Sequence, residues 1–152
     1  MAEEVKPKAT KYKAKKIYCD GIKFDSHIEM LFYEKCKDDK AKELIHNFEL
    51  QPQYIIQPKY TNIFGKNIQA IILKADFLIY EIDGTETVID TKGMATPESK
   101  MKRKMFGYVY PKEKLIWLSW YSGKWVNYDD LIKGRRERKK EKARLLSLQE
   151  NL

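Results

Sequence analysis

Three charged residues interrupt two stretches of this sequence that are otherwise largely apolar or β-branched. Asp76 stands in the first stretch, and Asp90 and Lys92 stand in the second with one residue between them. Side chains two positions apart on a strand point to the same face of a sheet. Asp90 and Lys92 therefore share a face, and a turn at Asp83-Gly84 would carry Asp76 back alongside them. The spacing predicts a cluster of two carboxylates and one ammonium group.

This combination of groups suits a hard divalent cation. Charged side chains among apolar neighbours are costly to bury unless they are paired or bind a metal. Two carboxylates, water and a backbone carbonyl, for which Thr91 is the candidate, match the oxygen shell of Mg²⁺, and Mn²⁺ would substitute for it. Such a metal would polarise a phosphate oxygen and acidify a bound water, while Lys92 would orient this nucleophile or stabilise charge on phosphorus. The chemistry predicted is phosphodiester hydrolysis.

A structural interpretation of the same three residues stays open. Asp76 and Asp90 would then only terminate strands, and Lys92 would form an ordinary surface ion pair with one of them. An acidic residue followed by a strand hairpin and the triplet D-x-K is a short pattern, and short patterns occur by chance. The placement of the three side chains in the fold distinguishes the two interpretations.

The segment before these stretches predicts a hairpin followed by a helix. Residues 17–24 are typical of two short strands joined by an Asp-Gly turn. Ser26 and Glu29 have the spacing of a capping box, and apolar residues continue at helical intervals after them. We expect this helix to end near residues 37–39.

The rest of the chain predicts alternating strands and helices, and therefore an α/β fold. Residues 48–58 and 68–80 are typical of strands, and residues 85–92 would form a hairpin with the second of them. The continuous apolar run at residues 115–118 predicts a strand that is covered on both faces.

Two further helices and a hairpin are predicted around that covered strand. Thr96 offers an N-cap and is followed by proline, so a helix is expected to begin there and to end before Pro111. Residues 120–125 predict a small hairpin. A charged C-terminal helix would follow, capped by Asp129 or Asp130.

Basic residues concentrate at both ends of the chain and give it a formal net charge of +8, with 30 Lys and Arg against 22 Asp and Glu. Such a charge suits a polyanionic partner such as DNA. Residues 1–16 predict a flexible basic arm, residues 17–128 the nuclease domain, and residues 129–152 a basic C-terminal helix or tail. A solvated helix face is the alternative for the candidate DNA contacts, which are Lys100, Lys102, Arg103, Lys104, Arg135, Arg136, Arg138, Lys139 and Lys140.

The composition argues against several other classes of protein. The 152 residues suit a single core, which this length can support without disulfides. Cys19 and Cys36 fit no paired metal-ligand spacing and indicate free thiols in a reducing compartment. No apolar run approaches the ~18 residues of a membrane span, and the segment MAEEVKPKAT holds no apolar stretch that could serve as a signal peptide. We therefore expect a cytoplasmic protein with no membrane partner.

Taken together, these positions resemble the PD-(D/E)XK nuclease superfamily. The resemblance rests on Ala75-Asp76, on Asp90-Thr91-Lys92 and on the preceding helix with Glu29, and it covers about residues 17–120. A phage-encoded branch of this superfamily, related to Holliday junction resolving endonucleases, is similar in a further run, Phe24-Asp25-Ser26-His27-Ile28-Glu29 with Tyr33-Glu34 behind it.

The resemblance implies a restriction-endonuclease-like α-β-β-β-α-β core with a mixed central sheet. It also implies that Asp76 and Asp90 bind the metal, that Lys92 assists the nucleophile, and that Glu29 completes the site from the first helix. Ala75 stands where the family has proline, and Asp90 stands where glutamate is commoner. For Glu29 the capping box is an equal explanation, since its carboxylate can accept from a backbone N–H at the start of the helix.

The function implied is that of a Mg²⁺-dependent DNA endonuclease, selective for branched structures such as four-way junctions, in phage recombination or DNA processing. A homodimer is expected from the resemblance and from a thin stripe of leucines at positions 145, 148 and 152. If the protein is phage-encoded, it would act in the cytoplasm of the host cell. Two alternatives stay open: an exonuclease built on the same core, and a DNA-binding module without catalysis.

Overall fold

The computed structural model describes residues 16–150, which form a mixed α/β protein with a five-stranded mixed sheet and three helices. The strands of this part are β1 (Ile17–Cys19), β2 (Ile22–Phe24), β3 (Asn47–Leu50), β4 (Gln53–Gln57), β5 (Tyr60–Thr61), β6 (Asn67–Ile68), β7 (Ile71–Lys74), β8 (Phe77–Tyr80), β9 (Glu86–Thr91), β10 (Lys114–Tyr121) and β11 (Lys124–Asn127). The helices are α1 (His27–Ala41), α2 (Pro97–Val109) and α3 (Tyr128–Glu150). Nearly all of the predicted N-terminal arm lies outside the described residues.

The central sheet has the strand order β11-β10-β9-β8-β3. Strands β8 and β9 form the predicted antiparallel hairpin, whereas β9 and β10 run parallel. Parallel neighbours need a long crossover connection, and α2 supplies it between β9 and β10. β9 therefore has a strand on either side and lies in the middle of the sheet.

A hydrophobic cluster lies on each face of this sheet. Phe77, Ile79 and Ile89 pack against α1 on one face. Leu78 and Val88, which alternate with them along the strands, pack with α2 on the other face. Burying a large apolar side chain contributes about 1.5–3 kcal/mol, so the two helices hold the β8–β9 hairpin firmly from both sides.

Two of the predicted strands are each interrupted, and the two interruptions lie next to each other. The strand expected over residues 48–58 breaks at Gln51, whose φ is 53°, and the strand expected over residues 68–80 breaks at Ala75 and Asp76. Only β3 and β8 stay in the central sheet, while β4 and β7 pair with each other separately. The left-handed backbone at Gln51 redirects the chain although the apolar pattern continues through it.

The separated strands form a ribbon, residues 53–74, which consists of β4, β5, β6 and β7. Its β4–β7 half packs on α2 through the buried side chains of Ile56 and Leu73, and its far end is exposed. β5 and β6 pair beyond β4 and β7, and residues 62–66 close the far end. The smaller predicted hairpins, over residues 17–24 and 120–125, are confirmed as the antiparallel pairs β1–β2 and β10–β11.

The N-termini of the first two helices follow the predictions. At α1, the Ser26 hydroxyl accepts from the backbone N–H of Glu29 at 3.2 Å, and the helix then continues past the expected end to Ala41. At α2, the Thr96 hydroxyl accepts from the backbone N–H of Ser99 at 3.1 Å, and the helix ends before Pro111 as expected.

The predicted cap of α3 was wrong. The helix begins at Tyr128, and the Asn127 side-chain oxygen accepts from the backbone N–H groups of Asp129 at 2.9 Å and Asp130 at 3.3 Å. The two acids lie in the first turn, where they face the positive end of the helix dipole. In the part of the chain described, none of the helices is both long enough and apolar enough to cross a membrane.

Candidate active site

The β8–β9 hairpin brings Asp76 to the end of β9. The backbone N–H of Asp76 donates to the carbonyl of Ile89 at 3.1 Å. Its carboxylate accepts hydrogen bonds from the backbone N–H of Thr91 at 2.7 Å and from the Thr91 hydroxyl at 2.8 Å. Thr91 is the residue between Asp90 and Lys92, so the hairpin returns Asp76 to this triplet as the sequence predicts.

Asp90 and Lys92 share a face of β9, in agreement with their spacing. Lys92 Nζ lies 2.6 Å from Asp90 Oδ2, and the Lys92 and Asp90 side chains are only 17% and 14% exposed. Lys92 Nζ also lies 5.2 Å from the centroid of the Trp117 ring on the neighbouring strand β10. The ammonium group is therefore held between a carboxylate and an aromatic face.

These residues form two adjacent groups where the sequence predicted one cluster. Asp90 and Lys92 line one pocket, and Asp76 lines another together with Glu29. Successive side chains of a strand alternate between faces, so Thr91 points away from both of its neighbours, and Asp76 binds to Thr91. Asp76 and Asp90 therefore line separate pockets that lie next to each other at the end of β9.

Negative charge accumulates between the two pockets. Burial, followed by the charges of Asp90 and Glu29, raises the pKa of Asp76 to about 7, against the opposing effect of its hydrogen bonds from Thr91. Burial also raises the pKa of Glu29, and the charge of Asp90 adds to this effect. The charge of Asp90 thus disfavours ionisation of both Asp76 and Glu29, and a bound cation would relieve that repulsion.

Glu29 belongs both to the helix cap and to this site. The Ser26 hydroxyl donates to Glu29 Oε1 at 3.1 Å. A backbone hydrogen bond to the same carboxylate comes from Asp25, one residue before the expected donor, and lowers the pKa of Glu29. Because Glu29 also lines the pocket of Asp76, both interpretations of this residue have a structural basis.

Two carboxylates and a backbone carbonyl are the groups that could hold a metal ion here. Among the described side chains, no three from His, Cys, Asp and Glu are arranged as ligands of one ion. Mg²⁺ is commonly bound through only one or two carboxylates and keeps several waters. Asp76 and Asp90 fit such an ion because the charge of Asp90 raises the pKa of the buried Asp76 carboxyl group, and a cation at this position would offset that charge.

A basic groove lies between α2 and α3, next to the pocket of Asp90. Trp117 lines both this α2–α3 groove and that pocket. Asp129 is the one acid among the residues that line the groove. Lys102, another predicted DNA contact, lines the pocket of Asp90 itself and pairs with Glu98 at 3.0 Å. The cations that line the groove are Lys100, Arg103, Lys104, Lys133 and Arg136.

Arg103 has a structural role that its sequence neighbours do not indicate. Its guanidinium group donates to both carboxylate oxygens of Asp129, at 2.9 Å and 3.1 Å. The same group lies 3.7 Å from the centroid of the Trp117 ring. Arg103 therefore joins α2, β10 and α3, and an anion in the α2–α3 groove would have to compete with Asp129 for it.

The other predicted DNA contacts lie on the outer part of α3. Every residue from 135 to 150 is exposed, and the guanidinium of Arg135 lies 6.0 Å from the centroid of the Tyr121 ring. Unlike Arg136, which lines the α2–α3 groove, Arg138, Lys139 and Lys140 lie beyond it. They form a basic surface that is separate from the carboxylates.

Two hydroxyl groups that the sequence analysis missed fix the loop after β9. The Ser119 hydroxyl donates to the carbonyl of Lys92, and the Tyr128 hydroxyl accepts from the backbone N–H of Ala95 at 3.0 Å. Tyr128 also packs edge-on against Trp117. Both hydroxyl groups come from elements that reach β9 only through parallel pairing, so no local signal could have identified them.

The fold and the site define a mixed α/β protein with partly buried carboxylates and a lysine at the end of a central hairpin. Residues 9–127 match the family described as Protein of unknown function (DUF1064), and the chain belongs to this family. The matched region includes Glu29, Asp76, Asp90 and Lys92 and ends just before α3. No curated protein and no solved structure matches the chain.

Proposed function

We propose that this protein is a Mg²⁺-dependent endonuclease that hydrolyses the phosphodiester bonds of DNA, with Asp76, Asp90 and Lys92 at its active centre. The observation that carries the proposal is the meeting of these residues at the end of β9. Asp76 is hydrogen-bonded to Thr91, and the residues on either side of Thr91 form a mostly buried ion pair. A merely structural ion pair at the surface would not need a second carboxylate with a raised pKa beside it.

The order of the elements supports a core of the PD-(D/E)XK type. Along the chain, α1, β3, β8, β9, α2 and β10 follow one another when the ribbon is set aside. This is the α-β-β-β-α-β order that the resemblance implies. The packing of α1 and α2 on opposite faces of the sheet also agrees with such a core.

Each group of the site would have a distinct task in this chemistry. When bound, Mg²⁺ would supply a Lewis acid and an acidified water. Asp76 and Asp90 would hold the ion, and the two hydrogen bonds from Thr91 fix the Asp76 carboxylate for this purpose. Lys92 would exchange its contact with Asp90 for one with the nucleophile or with a phosphate oxygen, and so stabilise the developing negative charge.

The distribution of charge supports DNA as the substrate. The α2–α3 groove carries five cations and opens beside the pocket of Asp90. A phosphate backbone in this groove would pass Trp117 and reach the carboxylates. The exposed cations of α3, among them Arg138, Lys139 and Lys140, would bind further phosphates, and each contact on duplex DNA would steepen the dependence of log affinity on log salt by about 0.9.

Selectivity for branched DNA and a two-fold dimer belong to the same proposal. Leu145 and Leu148 of α3 are 51% and 55% exposed and offer a second copy an apolar surface. A two-fold dimer would present one site to each of two strands at a junction. A monomeric mass, both free and on junction DNA, would contradict the dimer.

Cleavage of a panel of DNAs tests the proposed activity. The panel holds linear duplex, single-stranded, flapped and four-way-junction DNA and a covalently closed circle, each with Mg²⁺ or Mn²⁺. We expect cleavage of the closed circle and the fastest cleavage of the junction. Asp90→Ala should remain folded and lose the activity, and undiminished cleavage by this variant would overturn the assignment.

A matched control and two other outcomes complete this test. Glu86→Gln removes an exposed acid from the same strand as Asp90 and should leave cleavage unchanged. A closed circle that resists while linear DNA is degraded would identify the exonuclease alternative. DNA binding without any effect of Mg²⁺ would identify a binding module.

A further inference from the structure

The far end of the ribbon exposes two large apolar side chains. Ile63 is 93% exposed and Phe64 is 84% exposed, and they are adjacent in the turn between β5 and β6. Single exposed apolar residues are common on protein surfaces, but a neighbouring pair at the tip of a projecting element is typical of an interaction site.

The turn that carries these side chains is well defined by hydrogen bonds. The side-chain oxygen of Asn62 accepts from the backbone N–H groups of Phe64 and Lys66, both at 3.0 Å. The backbone N–H of Asn62 donates to the carbonyl of Lys66 at 2.9 Å, and Gly65 supplies the positive φ of 72° that the turn requires. The exposure of Ile63 and Phe64 is therefore imposed by an ordered turn.

The charge around the tip indicates the chemistry of its partner. Residues 51–75 contain no Asp or Glu, although the chain as a whole has 22 of them. The cations of this segment are Lys59, Lys66 and Lys74. A ribbon with positive edges and an apolar tip is complementary to a polyanion that also presents flat apolar surfaces, and the stacked bases of a nucleic acid have these two properties.

The base of the ribbon belongs to the wall of the active site. Ile72, Leu73 and Lys74 of β7 line the pocket of Asp90. On the neighbouring chain segment, the backbone N–H of Gln51 donates to the carbonyl of Asp76 at 2.8 Å. A DNA backbone at the carboxylates would therefore have its adjacent bases or branch point within reach of the ribbon.

We propose that the ribbon tip is a wedge that enters the base stack of DNA at a branch point, where Ile63 and Phe64 replace the stacking partners of an opened base pair. This inference rests on the proposed function, because it assigns the ribbon to the same DNA that the site cuts. Apolar side chains inserted between base steps unstack them, and the lost stacking has to be offset by the new contacts. A branch point lowers this cost, because its bases already lack part of their stacking, and so the wedge would favour branched over linear DNA.

A second copy of this chain is a weaker candidate for the occupant of the tip. Stable protein interfaces bury about 800 Å² on each partner, far more than two side chains at a turn supply. The lysines of the ribbon would also repel the same lysines of a second copy. Charge complementarity therefore favours DNA.

A fluorescent base at the branch point tests the wedge. The full-length protein is titrated onto a four-way junction that carries 2-aminopurine beside the branch point, in EDTA so that the DNA stays intact. 2-Aminopurine becomes brighter when it loses its stacking partners. We expect a several-fold rise in fluorescence with the wild type and no rise with the variant I63S/F64S at saturating protein, since the α2–α3 groove still binds the junction.

Two control variants separate the wedge from a general effect of substitution. I63V/F64L keeps an apolar tip and should keep the rise in fluorescence. Ile82→Ser removes an apolar side chain that is 61% exposed in the turn between β8 and β9, and it should keep the rise too. All of these positions are exposed, so the melting temperatures should stay close to that of the wild type.

Cleavage of junction and linear DNA in Mg²⁺ distinguishes failure of the wedge from failure of the nuclease. If the wedge and the nuclease assignment are both correct, I63S/F64S cuts linear duplex at the wild-type rate and loses the preference for the junction. If the wild type cuts nothing but the fluorescence still depends on the tip, the wedge holds and the nuclease assignment fails. A full rise with I63S/F64S, or no rise with the wild type, overturns the wedge. A change from dimeric to monomeric mass in I63S/F64S without DNA also overturns it and assigns the tip to a second copy.

Discussion

The β8–β9 hairpin and the ribbon depart from the usual distribution of side chains in opposite ways. The hairpin places the Asp76 carboxyl group among apolar neighbours, where burial and the charges of Asp90 and Glu29 raise its pKa to about 7. The ribbon places Ile63 and Phe64 in water at 93% and 84% exposure. Both arrangements cost free energy in the isolated chain, and each therefore points to a missing partner.

The hairpin and the ribbon therefore require partners of different size. Partly buried charge in a fixed fold can be compensated only by something small enough to enter, such as a metal ion or a phosphate group. An exposed apolar tip needs a partner that is large enough to cover it. One DNA molecule would satisfy both requirements, with its backbone at the hairpin and its bases at the ribbon.

Substitution of one phenylalanine in each region should give the largest contrast in stability. Phe77 is 1% exposed and packs edge-on against Phe32 at 4.8 Å. Phe77→Ala should therefore lower the free energy of unfolding by about 3–5 kcal/mol, whereas Phe64→Ala should change it by less than about 0.5 kcal/mol. Urea denaturation measures both values. Similar losses in the two variants would show that the ribbon tip packs inside the folded protein, and the comparison would fail.

Within the hairpin, Lys92→Gln should slow cleavage by about 10²–10³-fold, because it removes the charge that we propose stabilises the transition state. Single-turnover cleavage of junction DNA measures this effect. Lys114→Gln removes an exposed lysine at the start of β10 and should cut at the wild-type rate. An unchanged rate in Lys92→Gln would show that Lys92 has no role in cleavage and only forms the ion pair with Asp90.

Removal of the charge of Asp76 should stabilise the protein at alkaline pH. The pKa of Asp76 rises from its ordinary value of 3.8 to about 7 in the fold, so the folded state binds more protons than the unfolded state between these values. The stability contributed by the protonated form is complete below about pH 4 and is lost as the pH rises through about 7. Asparagine does not ionise and keeps an acceptor for Thr91. Asp76→Asn should therefore raise the free energy of unfolding by about 1–3 kcal/mol at pH 8.

Unfolding in urea at pH 4, 6 and 8 measures this difference. The gain should shrink as the pH falls, since the wild-type carboxyl group becomes protonated. At pH 8, Mg²⁺ should stabilise the wild type more than Asp76→Asn, because an ion that binds only the folded state adds to its stability. Curves with the same pH dependence in both proteins would show that Asp76 is not the group that titrates.

The features predicted correctly from the sequence are those that depend on residues close to one another along the chain. The N-cap at Ser26, the turn at Asp83-Gly84 and the common face of Asp90 and Lys92 are all local relations, and the structure contains each of them. The predicted hairpin also brought Asp76 next to the strand of Asp90, although Asp76 itself lies in the break between β7 and β8. The residues of the candidate site could therefore be named before the fold was known.

The remaining features depend on contacts between distant segments. The apolar pattern continues through Gln51 and Ala75, so the sequence gives no sign that both strands end there. The breaks are set by hydrogen bonds between residues 51–52 and residues 75–76, which are far apart in the sequence. The separation of Asp76 from Asp90 into different pockets follows from its bond to the intervening Thr91, which no spacing rule encodes. The hydrogen bonds of Arg103 to Asp129 and its stacking on Trp117 likewise form only when β10 pairs parallel to β9.

The outer half of α3 extends far from the rest of the described protein. Anchored at Tyr128, the helix continues from Arg135 to Glu150 with every residue exposed, a projection of about 24 Å at 1.5 Å per residue. A lone helical segment of this length is only marginally stable in water, so its free end should fray and reform. Neutralisation of its cations by a polyanion would shift that equilibrium toward the helix, so the helix would bind the polyanion more tightly after the first contact.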